Sequence, residues 1–135
     1  MELSIAGRNA ALNAITALFN VGGAGKLRIF SGTAPSSVND SEPASPLVSL
    51  NLNATAFGAA SSGTAVANPI SNATIDTTGT AAWFRLTQNN NAGVIQGSVG
   101  LASPPSGADI EASSVSFVSG GTVSVVSLTL TVPST

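Results

Sequence analysis

The chain has 135 residues, a length that favours one domain with a core of its own. Because it contains no Cys, no His and no Tyr, Cys–His nucleophiles, zinc sites and histidine general bases are excluded. Its net charge is −2 and its four basic residues are scattered along the sequence, which argues against binding to nucleic acid.

Charged side chains are unusually scarce. They make up 7% of the chain, whereas a typical globular domain has about 25%. Small neutral polar residues must therefore keep the protein in solution. Since neutral faces repel a partner less on close packing, the composition favours a protein that buries much of its surface against partners.

The N-terminal segment has helical periodicity. Alanines favour a helix there by propensity, and Gly22 and Gly23 end it. We predict one helix within residues 6–21, which either docks a partner or lies over the end of a β-sandwich. The segment lacks the charge pattern of a signal peptide, and no apolar run is long enough to span a membrane. The apolar stripe consists of Leu12, Ile15, Leu18 and Phe19.

Alternating strands follow the glycines. Residues 26–30 ("KLRIF") place Leu27 and Ile29 on one face, as in a half-buried strand. Residues 31–46 carry three prolines and no periodicity, which predicts a long loop. Further strands are predicted at 47–57, 63–70 and 79–88.

Residues 79–100 predict a β-hairpin that turns at 88–93 ("QNNNAG"). In the first strand, Trp83 and Arg85 fall on the same face. They could form a sugar platform or a cation–π pair, anchor a protein interface, or contribute to ordinary sheet packing. Composition and spacing leave these alternatives open.

The C-terminal third predicts a second hairpin, with Val115 and Phe117 before a turn at 119–121 and Val123 and Val125 after it. The apolar positions then shift by one residue at Val125–Val126, which predicts a β-bulge or a strand that crosses between sheets.

The predicted fold class of the chain is all-β, a two-sheet sandwich or jelly roll with one short N-terminal helix. We divide the chain into an N-terminal arm and helix (1–21) and a single sandwich domain (22–135). The predicted core includes Leu27, Ile29, Phe84, Leu86, Phe117, Leu128 and Leu130.

Two acidic pairs are candidates for carboxylate chemistry. Asp40 with Glu42, and Asp109 with Glu111, would each share a face of an extended strand. Both pairs lie in Pro-, Ser- and Gly-rich surroundings that are typical of solvated loops. We therefore predict no catalytic, cofactor-binding or metal-binding residue, and no requirement for a metal, nucleotide or sugar.

Seven segments, in this order, resemble small proteins encoded in the structural gene clusters of tailed bacteriophages: "RNAALNAITALF", "GKLRIFSGTAP", "LNLNATAF", "GTAAWFRL", "GVIQGSVG", "ADIEASS" and "SGGTVSVVSLTLT". Such virion proteins include capsid decoration, or cement, proteins, which are compact β-domains that sit as dimers or trimers on the outer shell. The resemblance implies a structural part of the virion and no catalysis.

We therefore expect a capsid decoration protein that is made in the bacterial cytoplasm and binds the phage major capsid protein on the outer capsid surface. A tail or neck structural protein and a carbohydrate-binding tail-tip adhesin are the alternatives. Removal of residues 1–19 should leave the sandwich folded and weaken particle binding. The candidate interface residues are Leu12, Ile15, Phe19, Trp83, Arg85, Pro35 and Pro43.

Overall fold

The computed structural model describes residues 1–135, which form one N-terminal helix followed by strands. Helix α1 (Ile5–Ala17) continues into a 3-10 turn (Leu18–Asn20). Ser4 caps it, because its Oγ accepts a hydrogen bond from the Gly7 N–H at 3.0 Å. The chain then leaves the helical region through two glycines with positive φ, 73° at Gly22 and 128° at Gly23. The predicted helix is confirmed, although it begins at Ile5, one residue before the predicted range of 6–21.

The helix shares its core with the strands. Leu12 and Phe19 are buried in the main apolar cluster, and the Phe19 ring lies 5.7 Å from that of Phe57. Asparagine side chains fasten the other flank of the helix to residues 56–63. There is therefore no break in packing at residue 21. Three Oδ1 atoms accept from backbone amides: Asn9 from Gly63 at 2.8 Å, Asn13 from Ala60 at 2.9 Å and Asn20 from Ala56 at 2.9 Å.

The strands form one curled five-stranded sheet and three two-stranded ladders. The sheet order is β2-β1-β6-β7-β8, antiparallel except for the parallel pair β7-β8. The ladders are β10-β4, β11-β3 and β5-β9. The strands are β1 (Lys26–Phe30), β2 (Val48–Asn51), β3 (Thr64–Val66), β4 (Ala73–Thr74), β5 (Gly79–Thr80), β6 (Trp83–Thr87), β7 (Gly93–Leu101), β8 (Ile110–Ala112), β9 (Ser116–Phe117), β10 (Thr122–Val123) and β11 (Thr129–Thr131).

Most of the predicted core is confirmed. Leu128 and Leu130 are half-buried and pack against the cluster from the ladder side. Strand β1, the loop at 31–46 and the hairpin β6-β7 also agree with the prediction, although the hairpin has a register shift at Leu86–Thr87. The predicted core residues that are fully buried are Leu27, Ile29, Phe84, Leu86 and Phe117.

Four predicted elements differ from the structure. The strand at 79–88 is divided, because β5 pairs with β9 while β6 enters the five-stranded sheet. The strands at 47–57 and 63–70 shorten to β2 and β3. The second hairpin is wrong: the turn at 119–121 exists, but β9 and β10 leave it to pair with β5 and β4 instead of with each other.

The predicted change of face near Val125 is present. Val123 and Val125 are half-buried and Val126 is exposed, after which Leu128 and Leu130 point inward again. The chain changes from ladder β10-β4 to ladder β11-β3 across residues 124–128. The opposite segment contains Pro69, which has no N–H to continue a ladder.

Gly25 lies where the turn after α1 meets the sheet. A Cβ there would stand 2.6 Å from the Thr87 carbonyl oxygen and 3.0 Å from that of Phe19. Because both neighbours are backbone, we expect Gly25→Ala to lower the free energy of unfolding by about 2 kcal/mol in urea titration. Gly58→Ala is the matched control, since its nearest neighbour is 3.7 Å away. Equal stability of the two variants would contradict this packing.

Candidate functional site

The five-stranded sheet has a polar and aromatic face opposite the apolar core. Arg28 on β1 lies directly across from Arg85 on β6, and Phe30 lies across from Trp83. Directly opposite residues of an antiparallel pair project on the same side. Lys26 also lies on this face, which therefore carries three of the four basic residues in the chain.

Trp83 is buried within this face. Only 2% of its surface is exposed, and its ring stacks on Phe30 with centroids 4.1 Å apart and planes 9° apart. Its Nε1–H donates to the carbonyl oxygen of Ser31 at 3.1 Å. The sequence-based hypothesis of an open aromatic platform is wrong, because the loop after β1 covers the indole.

Arg85 is buried to the same extent, with 2% exposed. Its Nη1 donates to the Asp40 carbonyl oxygen at 2.8 Å, and its Nη2 donates to Gln96 Oε1 at 2.6 Å. The guanidinium carbon lies 5.5 Å from the Trp83 ring, within cation–π range. No carboxylate contacts this guanidinium; the single ion pair in the structure joins Arg28 to Glu42 at 2.8 Å. Neutral carbonyl and amide oxygens therefore solvate the charge of Arg85.

Loop 31–46 is held onto the face by these side chains. Trp83 binds the carbonyl of Ser31, Gln96 Nε2 donates to the carbonyl of Pro35 at 2.8 Å, and Arg85 binds the carbonyl of Asp40. Arg28 adds the ion pair with Glu42 near the end of the loop. The loop thus forms a cover over β1 and β6, and its length is needed to cross the sheet.

A polar cleft of about 420 Å³ remains between this loop and the turn at 91–93, with Arg85 at its base. Asn91 Oδ1 accepts from Lys26 at 3.0 Å and from Arg28 at 2.8 Å. Asp40 Oδ2 accepts from the Ser37 N–H at 3.1 Å. The Oε1 atom of Glu42 lacks a partner. These contacts order the loop, and the cleft contains no nucleophile paired with a base.

The two acidic pairs do not form joint sites. Asp109 accepts from the N–H and the Oγ of Ser98, at 2.9 and 3.0 Å, while Glu111 accepts from the Gly107 N–H at 3.1 Å. Asp40 and Glu42 are engaged with the loop and with Arg28. No group of three or more acidic, histidine or cysteine side chains is placed to hold a metal ion.

The sequence-predicted interface residues are divided by burial. Ile15 and Pro35 are half-buried and Pro43 is exposed. The other four make their contacts inside the chain, so the expectation that they offer surface is corrected. The reasons are the helix packing and the cover formed by loop 31–46. These four are Leu12, Phe19, Trp83 and Arg85, each at most 2% exposed.

The outer face of α1 carries no charge. Ala6, Ala10, Ala14 and Ala17 recur at four- and three-residue spacing and are all exposed. Larger apolar side chains near the two ends of the helix are also exposed. The exposed ones are Met1 at 108%, Leu3 at 39%, Ile5 at 56%, Leu18 at 38% and Val21 at 54%.

Sequence reasoning missed Gln96, which joins Arg85 to the loop. Its position directly across from Arg85 in the β6-β7 hairpin was the available signal, because a polar residue there reaches the same face.

No helix of the structure is both long and apolar enough to cross a membrane. Comparison of the chain with protein-family models, with curated proteins and with solved structures finds no match.

Proposed function

We propose that the chain is a non-enzymatic structural protein of a tailed-phage particle, a capsid decoration protein that binds the major capsid protein on the outer shell as a dimer or trimer. The order of sequence segments described above supports this proposal. Its main structural support is the uncharged outer face of α1, together with the exposed apolar residues near the two ends of the helix. Exposed apolar surface of this kind marks a site of contact with another protein.

The way in which the helix is held also supports a binding role. Buried Leu12 and Phe19 and the three asparagine contacts fix α1 against the strands. A face that is ordered before binding loses little conformational entropy when it docks. Its alanines are small enough to let a partner backbone approach closely. A lattice that offers many identical sites would use such a preformed surface.

For the architecture, we propose a jelly-roll-like sandwich. The five-stranded sheet would form one layer, and the ladders β10-β4 and β11-β3 would contribute the second. The apolar cluster draws residues from both: Leu27 and Leu86 from the sheet, and Ala65 from β3. Aligned layers of this kind normally enclose a core about 10 Å thick.

The adhesin alternative loses its main sequence support. It required an exposed aromatic platform, and the only tryptophan is covered by loop 31–46. A tail or neck position stays an alternative to the capsid, and the test below separates the two.

Ala14→Lys places a charge in the centre of the exposed helix face. We expect it to reduce binding to phage particles assembled without this chain by at least tenfold in co-sedimentation, because the lysine must be desolvated on close packing. Circular dichroism should be unchanged, since Ala14 contacts solvent. Electron micrographs of the parent complex locate the added density on the head, neck or tail.

Ala102→Lys is the matched control, because it introduces the same change at an exposed alanine outside the helix. It should bind like the parent. Failure of the parent chain to bind particles, or equal binding by the Ala14 variant, would refute a lattice contact through α1.

A further inference from the structure

An apolar groove of about 560 Å³ opens between residues 110–117 and residues 122–128. Its floor includes Leu27 and Val99 of the sheet, and Val125 and Leu128 line one wall. Glu111 is the only charged residue among those that line it, and its Oε1 already accepts from the Gly107 N–H. Residues 122–128, on one side of the groove, form a chain segment without a charged residue.

That segment has an unpaired backbone. None of the backbone–backbone hydrogen bonds of the chain involves Ser124, Val125, Val126 or Ser127. The flanking strands β10 and β11 each have one neighbour, β4 and β3, so each has an open edge. Val126 is 101% exposed. The chain bends at Val126, but unpaired N–H and C=O groups between two open-edged strands are still a template for another strand.

The usual protection of such an edge is missing. Native proteins block open edges with charged side chains, prolines or a covering element. No charged residue follows Glu111 in the chain, and the only proline after it is Pro133, beyond β11. An open edge of this composition is expected to be covered in the functional state.

We propose that residues 122–130 pair antiparallel with the same segment of a second copy of this chain, about a two-fold axis at Val126. A two-fold axis perpendicular to an antiparallel pair sets the central residue opposite its own copy. Val126 then faces the partner's Val126, and β-branched side chains pack well against their neighbours on a pleated surface. This inference does not rest on the proposed function.

Self-pairing imposes a condition on charge that this segment meets. Any charged side chain near the axis would face the same charge in the partner, and like charges directly opposite are destabilising. A partner of different sequence would impose no such condition. The charge-free run from residue 112 to residue 135 therefore favours a second copy as the occupant.

Val126→Lys tests the contact with little risk to the fold, because the side chain is fully exposed. By analytical ultracentrifugation, the parent chain should be a dimer in concentration-dependent exchange with monomer. The variant should raise the dimer dissociation constant at least tenfold. Val118→Lys, at a valine that is 60% exposed and lies outside 122–130, should leave the dissociation constant unchanged.

Hydrogen exchange provides a second readout. Alternate amides among Ser124 to Ser127 should exchange more slowly as the parent concentration rises, because an added antiparallel strand pairs every second N–H, and the Val126 variant should lose this dependence. A strictly monomeric parent, a trimer, or equal weakening by both lysine variants would overturn the pairing. Particle binding is measured separately, so its loss alone would count against the capsid proposal and leave the dimer in place.

Discussion

Phe19→Ala is expected to lower the free energy of unfolding by about 4 kcal/mol. The ring is 0% exposed, lies 5.7 Å from the Phe57 ring and belongs to the cluster that joins the helix to the strands. Removing it sacrifices the burial of a large side chain and leaves a cavity that the surroundings fill only in part. Urea denaturation followed by Trp83 fluorescence measures the change.

Leu18→Ala is the adjacent control. Leu18 is 38% exposed, so its truncation should cost no more than about 1 kcal/mol. If both variants lost the same stability, the helix would not be seated by Phe19. The same contacts predict that deletion of residues 1–19 unfolds the protein, because it removes both Leu12 and Phe19 from the core. The burial of Leu12 and Phe19 thus argues against the sequence-based expectation that this deletion leaves the sandwich folded.

Arg85→Met is expected to lower the free energy of unfolding by about 3 kcal/mol and to free loop 31–46. The change leaves the Asp40 carbonyl and Gln96 Oε1 without their donors, and buried acceptors that lose a charged partner are costly. Urea denaturation measures the stability. Thermolysin, which cuts before aliphatic residues, should cleave at Val38 faster than in the parent.

Lys26→Met removes the same charge from the same face of the sheet, but the Lys26 side chain hydrogen-bonds to Asn91 in the turn and to no residue of the loop. It should change stability by less than about 1 kcal/mol and leave Val38 protected. Parental stability and parental cleavage of the Arg85 variant would show that other contacts hold the loop.

The helix, β1 and the β6-β7 hairpin could be predicted because their signals are local. The alanine-rich helical segment with its apolar stripe is followed by two glycines, and "QNNNAG" lies between two alternating runs. The C-terminal third could not be predicted, since the residues of β9 and β10 pair with residues that lie 36 to 50 positions earlier in the sequence. A glycine turn between two apolar runs has the same sequence pattern whether the two strands pair with each other or diverge to other partners.

The polar face was harder to predict for a different reason. Alternation in "AAWFRLT" indicates which side chains share a face, but it does not reveal whether that face is covered. The cover is loop 31–46, whose sequence lacks the periodicity of a packed element. Its attachment depends on side chains of β6 and β7, so no residue pattern within the loop could have revealed it.

The chemistry of that attachment determines where the protein can tolerate sequence change. Trp83, Gln96 and Arg85 bind backbone carbonyls at Ser31, Pro35 and Asp40, and every amino acid has such a carbonyl. The loop side chains at these positions can therefore diverge while the loop keeps its path, so variants of this protein could present different surfaces over an unchanged sheet. Substitutions on the strand side have no such freedom, because a guanidinium, a carboxamide and an indole N–H cannot be replaced by one another at these distances.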